Sequence, residues 1–247
     1  GCVFCATGQS GYQRNLYLPE ILGQILVGER EIKKKIKNQE DGRAITNVVF
    51  MGMGEPLANY DAVVESIRVI NDFYGINIGQ RHITLSPAGI PNKIRELANE
   101  GLQITLAVSL HAADDTTRSS LMPINRRHSL QDLMVAVDYY TDKTGRRVTF
   151  EYILIRGIND QDRDITNLVR LCRHRLVNVN LIPYNPVLDL EYESPTPDAV
   201  QQFAARLQDS GVNAIVRQEH GSDIEAACGQ LKALDDRQQA RIAAKRS

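Results

Sequence analysis

The chain contains no apolar run near the ~20 residues that a membrane-spanning helix needs, and it shows no secretory signal peptide. Both absences lead us to expect a cytoplasmic protein with no membrane partner. Cysteine is scarce, four residues in 247 with no paired framework. That excludes a disulfide-built secreted scaffold and suits a reducing compartment. There is no second Cys-x-x-Cys, the feature that would argue for a zinc ribbon. There is no G-x-G-x-x-G helix entry, which leaves that kind of nucleotide phosphate site unsupported. There is no G-x-S-x-G elbow, which weakens a hydrolase reading. Low-complexity linkers and repeats beyond a strand–helix alternation are absent too. One domain over residues 1–234 is therefore the economical expectation, with a charged tail over 235–247. The net charge of −1 neither demands nor forbids nucleic acid, because a binder has to gather its basic residues on one face. Even an initiator methionine is lacking: the chain opens on Gly1-Cys2-Val3-Phe4-Cys5, as if cut inside a motif.

That opening is the first positive signal. A Cys-x-x-Cys turn brings two thiolates close enough to share one metal or cluster, and zinc turns, redox pairs and iron–sulfur clusters all use it. Two cysteines do not complete an ordinary site of about four ligands. The missing ligands lie upstream of Gly1, come from Cys172 or Cys228, or are supplied by a substrate. Cys172 sits among Leu168, Val169 and Leu171 at helical spacing and reads as core. Cys228 follows two alanines and precedes Gly229, which leaves its sulfur sterically open; a buried helical cysteine is the plainer alternative.

Taken in order, strands and helices alternate. Pro19 suits the first turn of a helix whose far end carries Lys33, Lys34, Lys35 and Lys37. Strands are expected at Val48 to Phe50, Ile83 to Leu85, Ile104 to Val108, Val148 to Ile155, Val179 to Ile182 and Val212 to Val216. Helices are expected near 60–73, 91–99, 130–141, around Ile165 to Cys172 with Asn159 or Asp160 as cap, 199–207 and 223–234. The segment from Ala6 to Asn15 reads as a polar loop, and Asp114 to Arg127 as a looser polar connection. Several strands are continuously apolar, as expected where both sheet faces are covered. The pattern predicts parallel β/α units, closed as a barrel or open as a wound sheet.

The chemistry-bearing residues then fall at one place. Gly54-Glu55, Ser86, Ser109-Leu110-His111 and Asn185 each stand just past the carboxyl end of an expected strand, the edge where parallel β/α folds bind ligands. Each has a plainer reading: Glu55 as a helix cap, Ser86 as a turn before Pro87, His111 as a structural histidine, Asn185 as a loop brace. Their coincidence at one edge argues for a site. Gly52 and Gly54 let backbone approach a ligand closely, and Glu55 is suited to accept from a ligand ammonium group.

These residues resemble a known family. Cys2 and Cys5, with Phe4 between them, resemble the end of the radical S-adenosylmethionine (SAM) motif C-x-x-x-C-x-φ-C, whose first cysteine would then lie upstream of Gly1. Gly52-Met53-Gly54-Glu55-Pro56 resembles that superfamily's glycine–glutamate segment. The stretches Gly8 to Leu16, Gly52 to Leu57, Ser109 to Ala112, Pro123 to Asn125, Leu181 to Pro186 and Ala226 to Gln230 together resemble the RlmN family of dual-specificity RNA methyltransferases, near relatives of Cfr. The resemblance runs from Gly1 to about residue 234. It implies a partial (β/α)6 radical SAM barrel, parallel strands with outer helices, holding a 4Fe–4S cluster. By the family pattern Cys2 and Cys5 are two of its three cysteine ligands, and SAM binds the remaining iron. Gly54, Glu55, Ser86, Ser109, Leu110, His111 and Asn185 match positions that line SAM.

The resemblance also implies a reaction: formation of 2-methyladenosine in 23S rRNA and tRNA. One SAM methylates a cysteine, matched here by Cys228. A second SAM, cleaved with an electron from an external flavodoxin-like donor, yields a radical that takes hydrogen from that methyl group. The carbon radical adds to the base, and a second cysteine upstream resolves the crosslink through a disulfide with Cys228. A monomer is expected. For RNA contact the candidates are Arg126-Arg127, Arg146-Arg147 and Arg173-His174-Arg175, each equally readable as a solvated helix end. The alternatives are C8-type methylation like that of Cfr, another radical SAM enzyme such as an activase, and, outside enzymes, a zinc or electron-transfer module. One consequence is testable on the 247-residue chain itself. With the third cysteine expected upstream, it should hold iron poorly after anaerobic reconstitution; a yield near about four irons per chain with SAM cleavage contradicts this and brings Cys172 or Cys228 into the ligand set.

Overall fold

A computed structural model describes residues 1–9, 11–35, 43–187, 190–217 and 230. Three strands are short triplets: β1 (Val48–Phe50), β2 (Ile83–Leu85) and β6 (Ala214–Val216). Three are longer: β3 (Thr105–Ser109), β4 (Val148–Leu154) and β5 (Val177–Pro183). Before the strands come a short α1 (Ala6–Gln9) and α2 (Leu18–Lys35), and between them run α3 (Tyr60–Asn71), α4 (Pro91–Ala98), α6 (Leu130–Thr144), α7 (Asp162–Cys172) and α8 (Pro197–Asp209). The starts have local causes. Pro91 and Pro197 open their helices, Ser129 and Thr196 cap theirs by accepting a backbone N–H, and Gly145 ends α6 in the left-handed region with φ 65°.

The strands form one sheet in the order β1-β2-β3-β4-β5-β6, and every neighbouring pair is parallel. This is the partial (β/α)6 architecture expected. The register separates two faces. Phe50 lies beside Leu85, Leu85 beside Leu106, Val108 beside Phe150, Phe150 beside Val179 and Val179 beside Ala214. That apolar row packs under the helices into the main core, with Ile67, Ile94, Leu133, Val137, Leu168 and Leu207. The other face is not apolar: Thr84 lies beside Thr105, Ser109 beside Glu151 and Glu151 beside Asn180. Coverage of both faces, expected from the apolar runs, holds for β4, which is buried at all but one position. The face turned away from the helices nevertheless carries polar side chains in β4 and β5, Glu151, Asn178 and Asn180 among them.

Two expectations are corrected. The connection from Asp114 to Arg127 is not loose: it holds α5 (Asp115–Leu121) and a 3-10 turn (Pro123–Arg126). Asp114 caps α5 by accepting from Thr117 N at 2.8 Å. The periodicity is hidden because two of the inward residues, Arg118 and Asn125, are polar. Asn159 does not cap α7, where the flanking residue is Gln161, paired with Asp164 in a capping box. The helix expected over 223–234 and the tail over 235–247 fall outside the described residues, Gln230 apart. No helix among the described residues is long and apolar enough to cross a membrane.

Leu106 lies in a central strand and is fully buried. Leu106→Ala is expected to destabilise the fold by about 2–5 kcal/mol, read as a lower midpoint in urea-induced unfolding with unchanged cooperativity.

Candidate active site

Because all six strands run the same way, every strand-to-helix connection emerges at one edge of the sheet. The cysteine turn reaches that edge from before β1. It is tight, with Cys5 N donating to Cys2 O at 3.3 Å, and it is tied to α5 by Val3 N donating to Leu121 O at 3.0 Å. Phe4 is buried in a small second core with Ala112, Leu121, Met122, Ile153, Ile155 and Tyr184. Gly8 lies so close beneath the turn that a β-carbon there would collide with the Cys2 backbone. Cys2 and Cys5 are half-buried free thiols. Burial pushes the Cys2 thiol above its ordinary value, partly offset by Arg118. Cys172, buried on α7, is pushed up to about 12 by burial, as befits an inert core thiol. Among the described residues no group of three or more His, Cys, Asp or Glu side chains is placed to hold a metal ion. Cys2 and Cys5 therefore supply two soft sulfur donors.

Past β1, Gly54 takes φ 128°, a conformation that L side chains rarely adopt. Glu55 follows and does two jobs. Its Oε1 accepts from Leu57 N at 2.9 Å, capping the 3-10 turn Pro56–Asn59, and its Oε2 accepts from Ala88 N at 2.5 Å. The plainer reading of Glu55 as a cap is thus correct, and it also ties the β1 loop to the β2 loop. A carboxylate has roughly four acceptor positions, so capacity remains for a ligand donor. Burial raises its affinity for protons, opposed by the two backbone N–H groups. Past β2 and at the end of β3, Ser86 Oγ and Ser109 Oγ lie 3.4 Å apart. Leu110 N and His111 N both donate to Glu151 O, at 2.9 and 3.2 Å. Asn185 lies buried just past β5, after Tyr184, whose N donates to Leu154 O at 3.1 Å. Cys228 lies outside the described residues.

His111 is held most firmly. It is buried and adopts a left-handed φ of 57°, unfavourable for a non-glycine residue. Asn159 braces it, donating from Nδ2 to His111 O at 2.7 Å and to Ile153 O at 2.6 Å while accepting from Ile155 N at 2.8 Å. Ile153 N donates to His111 Nδ1 at 3.1 Å. Nδ1 is therefore the bare nitrogen, and Nε2 carries the proton. Burial, reinforced by the charge of Arg118, lowers the pKa to about 3, so the ring stays neutral. Phe4 meets it edge-on with ring centroids 5.1 Å apart, which couples the cysteine turn to the β3 loop.

The residue that sequence reasoning missed is Arg118. It is fully buried on α5. Its Nε donates to Leu110 O at 3.0 Å, its Nη1 to Asn125 Oδ1 at 2.7 Å, and its Nη2 to Ala88 O at 2.5 Å and Ser109 O at 3.1 Å. It thereby braces the connections after β2 and β3. Burial pulls its pKa down to about 10, still protonated near neutrality. Glu151 was missed as well: it is buried on the inner face with Oε1 accepting from Asn180 at 3.0 Å and Arg217 3.8 Å from Oε2. Both lie in stretches without a motif, where only the resemblance of Pro123 to Asn125 hinted at the first.

The basic candidates divide between two edges. Arg126 and Arg127 are exposed on the carboxyl-edge side, between α5 and α6. Arg146-Arg147 and Arg173-His174-Arg175 precede β4 and β5, on the opposite edge. There Arg146 donates to Ile104 O at 2.9 Å, Arg147 to Asn178 at 3.2 Å, and Arg175 pairs with Asp138 at 2.8 Å. They serve the fold, away from the site.

A family profile described as the radical SAM superfamily matches residues 1–169. The chain is 49% identical over 232 residues to a probable dual-specificity RNA methyltransferase RlmN from Syntrophomonas wolfei subsp. wolfei, covering 94% of this chain and 65% of the relative. It is 48% identical to the protein of the same name from Dictyoglomus turgidum, covering 95% and 66%. Among solved structures it is similar to a radical SAM methyltransferase from Sphaerobacter thermophilus, with a TM-score of 0.90 and 45% identity, over 95% of this chain and 67% of that one. The chain thus spans slightly less than two thirds of the length of these two curated relatives.

The histidine generates a prediction. Its pKa is about 3 in the fold against 6.5 ordinarily, so the unfolded chain binds the extra proton between those values. Stability should fall as pH drops through that window. His111→Asn keeps an acceptor and tolerates the left-handed backbone; its denaturation midpoint should fall less steeply over the same range. Equal slopes would contradict a histidine held neutral.

Proposed function

The chain belongs to the radical SAM superfamily, and from that premise we propose that it carries the catalytic barrel of an RNA methyltransferase of RlmN type, acting on adenine C2 in 23S rRNA and tRNA. The observation that carries this reading is the convergence of a paired-thiol turn with Glu55, Ser86, Ser109, His111 and Asn185 at one edge of a parallel sheet, in a chain nearly half identical to RlmN relatives.

The residues fit an iron–sulfur cluster. Two soft thiol donors share one turn, in a half-buried apolar setting, next to a buried cation that has no direct carboxylate partner among the described residues. Cys2 and Cys5 would hold the cluster with a third cysteine. When bound, the cluster supplies the electron that cleaves SAM reductively. The rest of the chemistry belongs to the chain. Glu55 keeps carboxylate acceptor positions for the ammonium group of SAM, and burial strengthens that pairing. Ser86 and Ser109 present hydroxyls side by side for a polyol or carboxylate. His111 offers a neutral Nε2–H donor that does not change its protonation over the working pH range. Asn185 offers an amide at the last of these connections. Phe4 and the small core around it exclude water above the strands.

Cys228 would carry the transferred methyl group. The support is local: Gln230, two residues on, donates from Nε2 to Pro186 O at 3.2 Å, next to Asn185. An sp² carbon bearing hydrogen is a poor nucleophile, so the methyl carbon has to reach it as a carbon-centred radical, and sulfur stabilises a radical on the carbon attached to it. Contact with RNA on the site's own edge would use Arg126 and Arg127, whose loss should weaken binding across sequences alike.

The test is peptide mass spectrometry of the full-length protein after incubation with methyl-labelled SAM and a reductant, beside Cys228→Ala. Label is expected on the Cys228 peptide, and the Ala variant should form no methylated adenosine. Absence of label, or 2-methyladenosine from the variant, would overturn the RlmN-type reading. A product methylated at C8 would move the chain to the Cfr type.

A further inference from the structure

Arg118 carries a charge that its hydrogen bonds do not cancel. Every donor it uses goes to a neutral acceptor: the carbonyls of Leu110, Ala88 and Ser109 and the amide oxygen of Asn125. No water-exposed surface screens it, because the side chain is fully buried. Burying a cation without a charged partner is costly even when its hydrogen bonds are complete. The nearby carboxylates of Asp115 and Glu55 favour its charge from a distance, but their hydrogen bonds go to other donors and neither bonds to it. Asp115 Oδ1 accepts from Asn125 Nδ2 and from Leu130 N, both at 2.8 Å. Glu55 accepts from the backbone of Leu57 and Ala88 and, on the reading above, from the ammonium of SAM. A structural brace for loops needs donors but no net charge, so the charge itself asks for an anion.

Geometry indicates where that anion sits. Arg118 lies one helical turn before Leu121, whose carbonyl receives Val3 N at 3.0 Å, inside the cysteine turn. Ala88, whose carbonyl Arg118 holds, packs against the same small core as Cys2 and Cys5. An iron–sulfur core bound by thiolates is anionic in both oxidation states, and reduction by one electron makes it more so. We propose that Arg118 is the fixed counter-charge of the cluster held by Cys2 and Cys5, and that it raises the cluster's midpoint potential by favouring the reduced, more negative state. The electron comes from the external one-electron donor; Arg118 exchanges no proton and is a positioning residue. The inference rests on the cluster reading given above.

The experiment is a reductive titration of the full-length, anaerobically reconstituted protein, followed by electron paramagnetic resonance with iron content in parallel. Four proteins are compared: wild type, Arg118→Met, Arg118→Gln and Arg118→Lys. Circular dichroism checks folding. Wild type should give a reducible cluster signal; no signal there overturns the cluster reading itself and this inference with it. The two neutral variants should have a lower midpoint potential than wild type, although Gln keeps donors for the carbonyls. The Lys variant, with the charge but fewer hydrogen bonds, should stay near wild type. Neutral variants at the wild-type potential, or a Lys variant that shifts with them, overturn the proposal. Should both neutral variants fail to fold, the Lys variant still decides. Its potential falls as alkali removes the lysine's proton, at a lower pH than in wild type, whose guanidinium keeps its proton to about pH 10, and matching profiles overturn the proposal.

Discussion

Two charged side chains at one edge of the sheet, Arg118 fully buried and Glu55 partly so, hold the site together, and both do so by bonding to backbone. Glu55 reaches from the β1 connection to Ala88 N, and Arg118 reaches from α5 to Ala88 O. The backbone of Ala88 is thus held at its N–H and its carbonyl by opposite charges that do not bond to each other. Loops are ordinarily the least ordered parts of a β/α fold. Here the loops after β1, β2 and β3 are fixed to each other through charge-assisted hydrogen bonds in a poorly solvated setting, where such bonds are strong. A ligand arriving at this edge meets a prearranged surface and pays little to order it.

The left-handed backbone of His111 belongs to the same arrangement. Strain of that kind persists only where the surroundings over-determine it. Asn159 takes His111 O, Ile153 N takes its Nδ1, Glu151 O takes its N–H, and Phe4 takes its ring face. The outcome is one defined donor, Nε2–H, at a fixed place. A histidine so buried is a poor proton shuttle, since its imidazolium is disfavoured.

Much of this was legible in the sequence, and the rest was hidden for physical reasons. The triplets Val48–Phe50 and Ile83–Leu85 were found to the residue, because apolar β-branched runs bounded by turn residues leave little choice. The carboxyl-edge placement of Glu55, Ser86, Ser109 and His111 followed from that alternation. Arg118 was not legible: a lone arginine in a polar stretch reads as solvated surface, and burial of a charge is decided by partners distant in the chain, Ala88 thirty residues away. Asn159 was misread as a cap because Asn before an acidic, apolar-periodic segment usually is one. Ile153 and Ile155 reach it through the turn after β4, but its distant partner, His111, becomes a neighbour only when β3 and β4 pair. The polarity of the inner face was not legible because β4 reads as apolar overall, while one position in it, Glu151, sets the polarity of the lumen.

The two hydrophobic clusters explain why a cysteine turn ahead of the first strand can serve a site built after the strands. The main core lies between sheet and helices and fixes the strands' order and register. The smaller core lies on the carboxyl edge itself, where Phe4 joins Ile153 and Ile155 of the β4 end and Tyr184 past β5. Its burial anchors the turn without any strand pairing, so Cys2 and Cys5 are carried to the same edge as Glu55 and His111 by side-chain packing and the one backbone bond from Val3 N to Leu121 O. The same packing dries the site. Low polarity there disfavours the charged form of His111 and raises the Cys2 thiol. It also leaves the Arg118 charge unscreened, so the position of an anion bound beside it matters more than it would in water.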